Sequence, residues 1–215
     1  LHRLRQELAS QNHAMTYKDL AEGLDVLSLG AIDLETNDEG DPLGVRHFAR
    51  SPYFPKLIGV RRDDLERNPE AKWYVEFHPF VTDSIDKVAY RQFNYRRLMK
   101  CRTQLARWLI SQLVLKYTAA AITNSFEMRF STIKRDSGLL EGYKLQRQAI
   151  AALDAAWAEI RDLGALYVCK KVEHRGSRGK LEDVTYTLYP SREFAAEQKA
   201  ANRRQNDAKS ISSAL

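Results

Sequence analysis

The segment 142–163 constrains this chain more than any other. Leu145, Ala149, Ala152, Leu153, Ala156, Ile160 and Leu163 recur at helical spacing along one stripe, and Gly164 ends the run. That pattern predicts one long amphipathic helix that must bury the stripe against another element. Opposite the stripe, the first turns carry Tyr143, Lys144, Arg147 and Ala151, flanked by Gln146 and Gln148. Acids enter only later, at Asp154, Glu159 and Asp162. Two alternating segments follow, 166–174 and 184–189, which read as strands joined by the basic tip Arg175-Gly-Ser-Arg-Gly-Lys180.

The elements before this helix follow a recognisable order. Residues 101–117 predict a helix with Leu105, Trp108, Leu109 and Leu113 on one face, and 119–125 a further helical turn. Met128-Arg-Phe reads as a short strand. Residues 131–137 read as a short helix capped by Ser131 and stopped by Gly138. Helix, strand, short helix, long helix and hairpin together describe an α+β winged helix-turn-helix. In that fold the long helix lies in the major groove and the hairpin reaches the adjacent backbone.

The first half repeats part of this order. Residues 1–10 read as a short helix. Thr16 is placed to cap a second, with Leu20, Leu24 and Leu27 at helical spacing. Ala31-Ile-Asp-Leu-Glu alternates as a strand, Asn37-Asp-Glu-Gly-Asp-Pro as a turn, and Lys56-Leu-Ile-Gly-Val as the returning strand. Trp73-Tyr-Val-Glu-Phe reads as another strand, closed by Pro79. A short helix over 81–89 and a strand over 90–95 follow. The chain opens on Leu1, so a fragment of a longer protein is expected, whose N-terminus would supply the front of a first winged helix. The expected organisation is the back part of that domain over 1–68, a second winged helix over 69–190, and a polar helical or disordered surface tail over 191–215.

Charge divides along the same line. Residues 1–90 hold 11 Lys/Arg and 16 Asp/Glu, a net of −5, whereas 91–215 hold 23 and 12, a net of +11. Such asymmetry points to a polyanion met by the second half, although a solvated basic surface has the same composition. Residues 91–116 alone contain seven Lys/Arg and no acid. The chain's 44% hydrophobic residues can form a core and argue against general disorder. No apolar run approaches a membrane span. Cys101 and Cys169 stand far apart outside any CxxC pair, which suits packed thiols in a reducing cytoplasm.

Catalytic signatures are missing from the sequence. The histidines at 2, 13, 47, 78 and 174 form no HxH or HExxH spacing, and no GxxxxGK[ST] loop occurs. No catalytic residue, metal ligand or cofactor is therefore assigned, and no enzyme is expected. The residues assigned to DNA contact are Tyr143, Lys144, Arg147 and Gln148 on the long helix. Arg175, Arg178 and Lys180 at the tip and Lys134 and Arg135 on the short helix join them. Arg and Gln can pair bidentately with guanine and adenine edges. Gly176 and Gly179 would let the tip approach a phosphate backbone.

Trp73-Tyr-Val-Glu-Phe-His-Pro-Phe-Val resembles the strand and turn that open the second domain of plasmid replication initiators built from tandem winged helices. The resemblance continues through Tyr90-Arg-Gln-Phe, Thr103-Gln-Leu-Ala-Arg-Trp-Leu, Gln148-Ala-Ile-Ala-Ala-Leu-Asp and Ile160-Arg-Asp-Leu-Gly-Ala-Leu, covering about residues 70–190. More loosely, Tyr17-Lys-Asp-Leu-Ala-Glu to Leu34 is similar to the recognition helix and strand of their first domain. The resemblance implies a cytoplasmic, bacterial, plasmid-associated protein that binds repeated double-stranded origin sites. It also implies host replication proteins as partners and a homodimer through the first domain. Lys144, Arg147, Arg178 and Lys180 would take the contacting roles. The first-domain helix departs from this pattern, with Asp19, Glu22 and Asp25 against Lys18 alone. A winged-helix transcriptional repressor and a protein-interaction scaffold remain alternatives.

Overall fold

A computed structural model describes residues 1–36, 47–60, 64, 67–68, 72–86, 90–177 and 179–212. The fold is α+β, with small antiparallel sheets between helices. It divides into two compact units, Leu1–Lys87 and Val88–Leu215.

The first unit holds helices α1 (His2–Ser10) and α2 (Tyr17–Leu29), strands β1 (Ala31–Thr36), β2 (His47–Pro52), β3 (Lys56–Ile58) and β4 (Tyr74–Glu76), and helix α3 (Pro79–Asp86). Thr16 caps α2 in a reciprocal box: its hydroxyl accepts from Asp19 N–H while Asp19 accepts from Thr16 N–H. The partner of β1 differs from the expected one. Ala31 pairs with Pro52 and Thr36 with His47, whereas Lys56–Ile58 pairs with Tyr74–Glu76. His47-Phe-Ala-Arg-Ser-Pro has no clean period-2 alternation, and Pro52 is tolerated only because it closes a two-stranded ribbon. The expected turn at 37–42 lies outside the described residues. Pro79 opens a helix rather than merely closing a strand, since a first-turn position needs no N–H. Leu20 is the one buried apolar residue of this unit among those described.

The second unit contains α4 (Tyr95–Lys100), α5 (Gln104–Lys116), β5 (Phe126–Arg129), α6 (Phe130–Ser137), α7 (Gln146–Asp162), β6 (Leu166–Arg175), β7 (Leu181–Pro190) and α8 (Arg192–Ser212). Its antiparallel sheet has the order β5-β7-β6, so the last strand is central. Val184, Tyr186 and Leu188 alternate into the core, where Leu109 and Leu113 of α5, Ile133 of α6 and Leu153, Trp157 and Ile160 of α7 bury fully.

Three expectations are corrected here. Residues 91–94 are irregular and lead into α4, which Asn94 caps by accepting from Arg97 N–H, so no strand forms over 90–95. Residues 118–125 are turns: Asn124 accepts from Ala121 N–H, and Tyr117 Oη–H donates to the Asn124 carbonyl. That local side-chain alternative satisfies the backbone without a helix. The C-terminal helix is not wholly a surface element, because Phe194, Ala195, Gln198 and Ala201 are buried.

Arg97 explains why that helix docks. Only 5% exposed, it reaches Glu197 Oε2 at 2.6 Å and Glu193 Oε1 at 2.9 Å, and its Nε donates to the Leu163 carbonyl at the end of α7. A guanidinium removed from water requires such partners.

Candidate nucleic-acid interface

Helix α7 begins without a polar cap. Leu145 holds the N-cap position in extended backbone, and its side chain can accept nothing. The first turn contains no acid. Among the described residues of the second unit, the other four helices all have an acceptor at this end. Asn94 serves α4, Thr103 serves α5 and Ser191 serves α8. For α6, Asp183 reaches across from β7 to accept from Ser131 N–H and Oγ–H. The expected cap from Ser131 is thus supplied by Asp183, and Ser131 sits inside the first turn.

The absent cap forgoes about 1 kcal/mol. Arg147 in the first turn opposes the helix dipole as well. Gln148 N–H already donates to the Leu145 carbonyl at 2.9 Å, so a bound phosphate would relieve both by taking the preceding first-turn N–H groups as donors and the cation as counter-charge.

The helix starts at Gln146, four residues later than its apolar pattern predicts. Leu140, 1% exposed, pins the preceding turn to the core, and Gly138 has φ +64°. Tyr143 and Lys144 therefore stand on the lead-in loop, while Arg147 and Gln148 stand on the first helical turn; all four are exposed. Leu145, Gln146 and Arg147 line one open cleft with Lys180 and Leu181 of the hairpin. Gln146 and Leu181 were not assigned from sequence. Their place follows from the cleft, which no spacing rule reveals.

The other cations of the hairpin are less free than its composition suggests. Arg175 pairs with Glu173 at 2.7 Å and donates to the Gly179 carbonyl at 3.0 Å. Lys171 pairs with Asp154 at 2.7 Å, and Lys170 lies over the Tyr189 ring. Gly176 has a different role from the one expected. The Glu182 carboxylate occupies the space where a Cβ would sit, so this glycine seats an acid at the tip. Gly179, at φ +69° with open space beside it, supplies the left-handed turn. Arg178 lies outside the described residues.

On α6, Lys134 is exposed, whereas Arg135 Nε bonds Asp136 at 2.7 Å. That bond holds the Asp136 carboxyl below its ordinary range. Partial burial disfavours the Asp183 charge, but hydrogen bonds from Ser131 and Val184 outweigh it and keep this carboxyl low too.

The later acids of α7 hold the fold. Asp154 Oδ1 accepts from the buried Tyr186 hydroxyl at 2.7 Å, and burial together with this bond pushes the Tyr186 ionisation up. Glu159 accepts from Arg102 N–H and Thr103 Oγ–H, tying α7 to the start of α5. Several cations of 91–116 are likewise internal. Arg91 donates to Asn202, Arg97 is buried, and Arg107 donates to the Cys101 carbonyl. Arg96, Lys100, Arg102 and Lys116 stay exposed.

Cys101 and Cys169 are free thiols. Burial pushes each up to about 11, which suppresses the reactive thiolate. Among the described residues no three His, Cys, Asp or Glu side chains group as a metal site. No described helix is long and apolar enough to cross a membrane. No protein-family model matches the chain, and comparison with curated proteins finds no match.

Proposed function

We propose that the second unit is a winged helix that binds double-stranded DNA sequence-specifically, with α7 as recognition helix and β6–β7 as wing. The supporting observation is the free, cationic start of α7. Arg147 and Lys180 line one cleft beside exposed Lys144, at the one helix end of this unit left without an acceptor among the described residues. Gln148 and Arg147 are the base-reading candidates, since both project from the turn a recognition helix presents to base edges. Lys180, Lys144, Tyr143 and Lys134 suit phosphate contact. Arg175 and Arg135 would have to exchange their carboxylate partners to join them.

The wider reading is a non-enzymatic initiator at repeated plasmid-origin sites, working with host replication proteins. It draws on the order of elements and the motifs of residues 70–190. The cationic balance of the second unit supports a polyanionic ligand.

The decisive experiment selects bound duplexes from a random pool and titrates the chosen site against salt. Six to ten phosphate contacts predict a loss of about 10³–10⁵ in affinity between 50 and 200 mM salt. Reversing both Arg147→Glu and Lys180→Glu should abolish specific binding without lowering the melting temperature. A flat salt response, or retained binding in the double variant, refutes the assignment. Local melting beside the bound sites, read with single-strand reagents, separates an initiator from a repressor.

A further inference from the structure

A groove with exposed apolar walls lies at the opposite end of the hairpin from its basic tip. At the start of β6 the register jumps: Leu166 pairs with Pro190 and Val168 with Tyr189, leaving Tyr167 as an extra, unpaired residue. A β-bulge of this kind re-aims a side chain. Here Tyr167 is 75% exposed, an unusual position for an aromatic ring.

The ring borders a groove of about 660 Å³ with Ile122, Val168, Lys170, Tyr189 and Arg192 among its walls. Ile122 is itself 61% exposed. None of the lining residues is acidic, and neither Lys170 nor Arg192 forms an ion pair among the described residues. Lys170 is instead poised over the Tyr189 ring, 5.1 Å from its centroid. Among the described residues β6 pairs only with β7, so its other edge has no strand partner.

We propose that this groove docks an extended acidic peptide segment of a partner protein. An aromatic or aliphatic anchor of the peptide would fill the space between Tyr167 and Ile122. Its flanking carboxylates would meet Lys170 and Arg192, and its backbone would run along the free edge of β6. Charge complementarity selects this occupant. A nucleic-acid strand needs a track of cations matching successive phosphates, whereas two cations beside an apolar floor match one or two carboxylates. Tyr167 and Arg192, both exposed on the walls of the groove, are of the residue types that dominate binding energy at protein interfaces. This proposal does not depend on duplex binding by α7.

The test uses the full chain as bait for a random-peptide phage library, with the Tyr167→Ala and Lys170→Glu variants as controls. Enriched peptides should carry Asp or Glu beside an aromatic or aliphatic residue. By fluorescence anisotropy, either substitution should weaken a synthesised hit at least about tenfold. Both variants should melt like the parent, because the replaced side chains face solvent, and should bind the selected duplex as before. Failure to enrich any peptide overturns the proposal. So do neutral or basic consensus peptides, equal binding by the variants, or displacement of the hit by oligothymidylate. Self-association that disappears in Tyr167→Ala would assign the groove to a second copy, and would overturn it equally.

Discussion

The two ends of α7 are built on opposite principles. Toward the C-terminal end several polar groups have work inside the molecule. The Leu163 carbonyl accepts from buried Arg97, Glu159 holds the start of α5, and Asp154 holds Tyr186 and Lys171. At the N-terminal end Leu145 caps nothing, the first turn has no acid, and Gln146, Arg147 and Gln148 face solvent. One end spends its polar groups on stability. The other leaves donors and positive charge uncommitted, and stability is what an unliganded site gives up. The difference teaches where to look for a ligand when no signature motif is present.

The largest expected effect on stability comes from the anchored end. Arg97→Met should destabilise the second unit by about 2–3 kcal/mol in urea unfolding, less than for a fully buried pair because Glu193 is largely exposed. Duplex binding per folded molecule should not change. A weaker duplex affinity at saturation would mean that the two ends are coupled.

A smaller effect in the opposite direction should follow from capping the free end. Leu145 already has the extended backbone an N-cap needs, so Leu145→Asp should stabilise the unit by about 1 kcal/mol. The same change should weaken duplex affinity, because the new carboxylate takes the N–H groups and repels phosphate. Stabilisation without loss of binding would break the proposed contrast.

The smallest effect concerns Asp183. Its carboxyl lies below the usual range in the folded chain, so its contribution is complete above the unfolded value of about 3.9 and fades as pH falls below it. Asp183→Asn should therefore narrow the stability gap between pH 6 and pH 3 by less than about 1 kcal/mol. An unchanged acid profile would show that Ser131 does not depend on this charge.

Much of the second unit was legible from periodicity. The helices around Leu109 and Leu153, the left-handed stop at Gly138 and the β6–β7 pair all follow from local pattern. Residues 47–52 escaped notice because a strand with mixed polarity acquires its identity only from its partner. Residues 119–125 form turns instead of the helical turn that their sequence predicts, because Asn124 competes for backbone groups in a way that apolar spacing does not register. Of the assigned contact residues, Arg147 and Lys180 line one cleft. Arg135 and Arg175 carry ion pairs that composition alone cannot foresee.

The amino-acid order alone determined which faces of the helices are apolar, where glycine permits a left-handed turn, and that positive charge concentrates after residue 90. Those are properties of single residues and their near neighbours along the chain. Only the tertiary structure decided which cations are neutralised, which acids brace the fold, and that Lys180 stands beside Arg147. Ion pairing and burial depend on distances between residues far apart in sequence, and those distances exist only once the core around Trp157 and Tyr186 has closed.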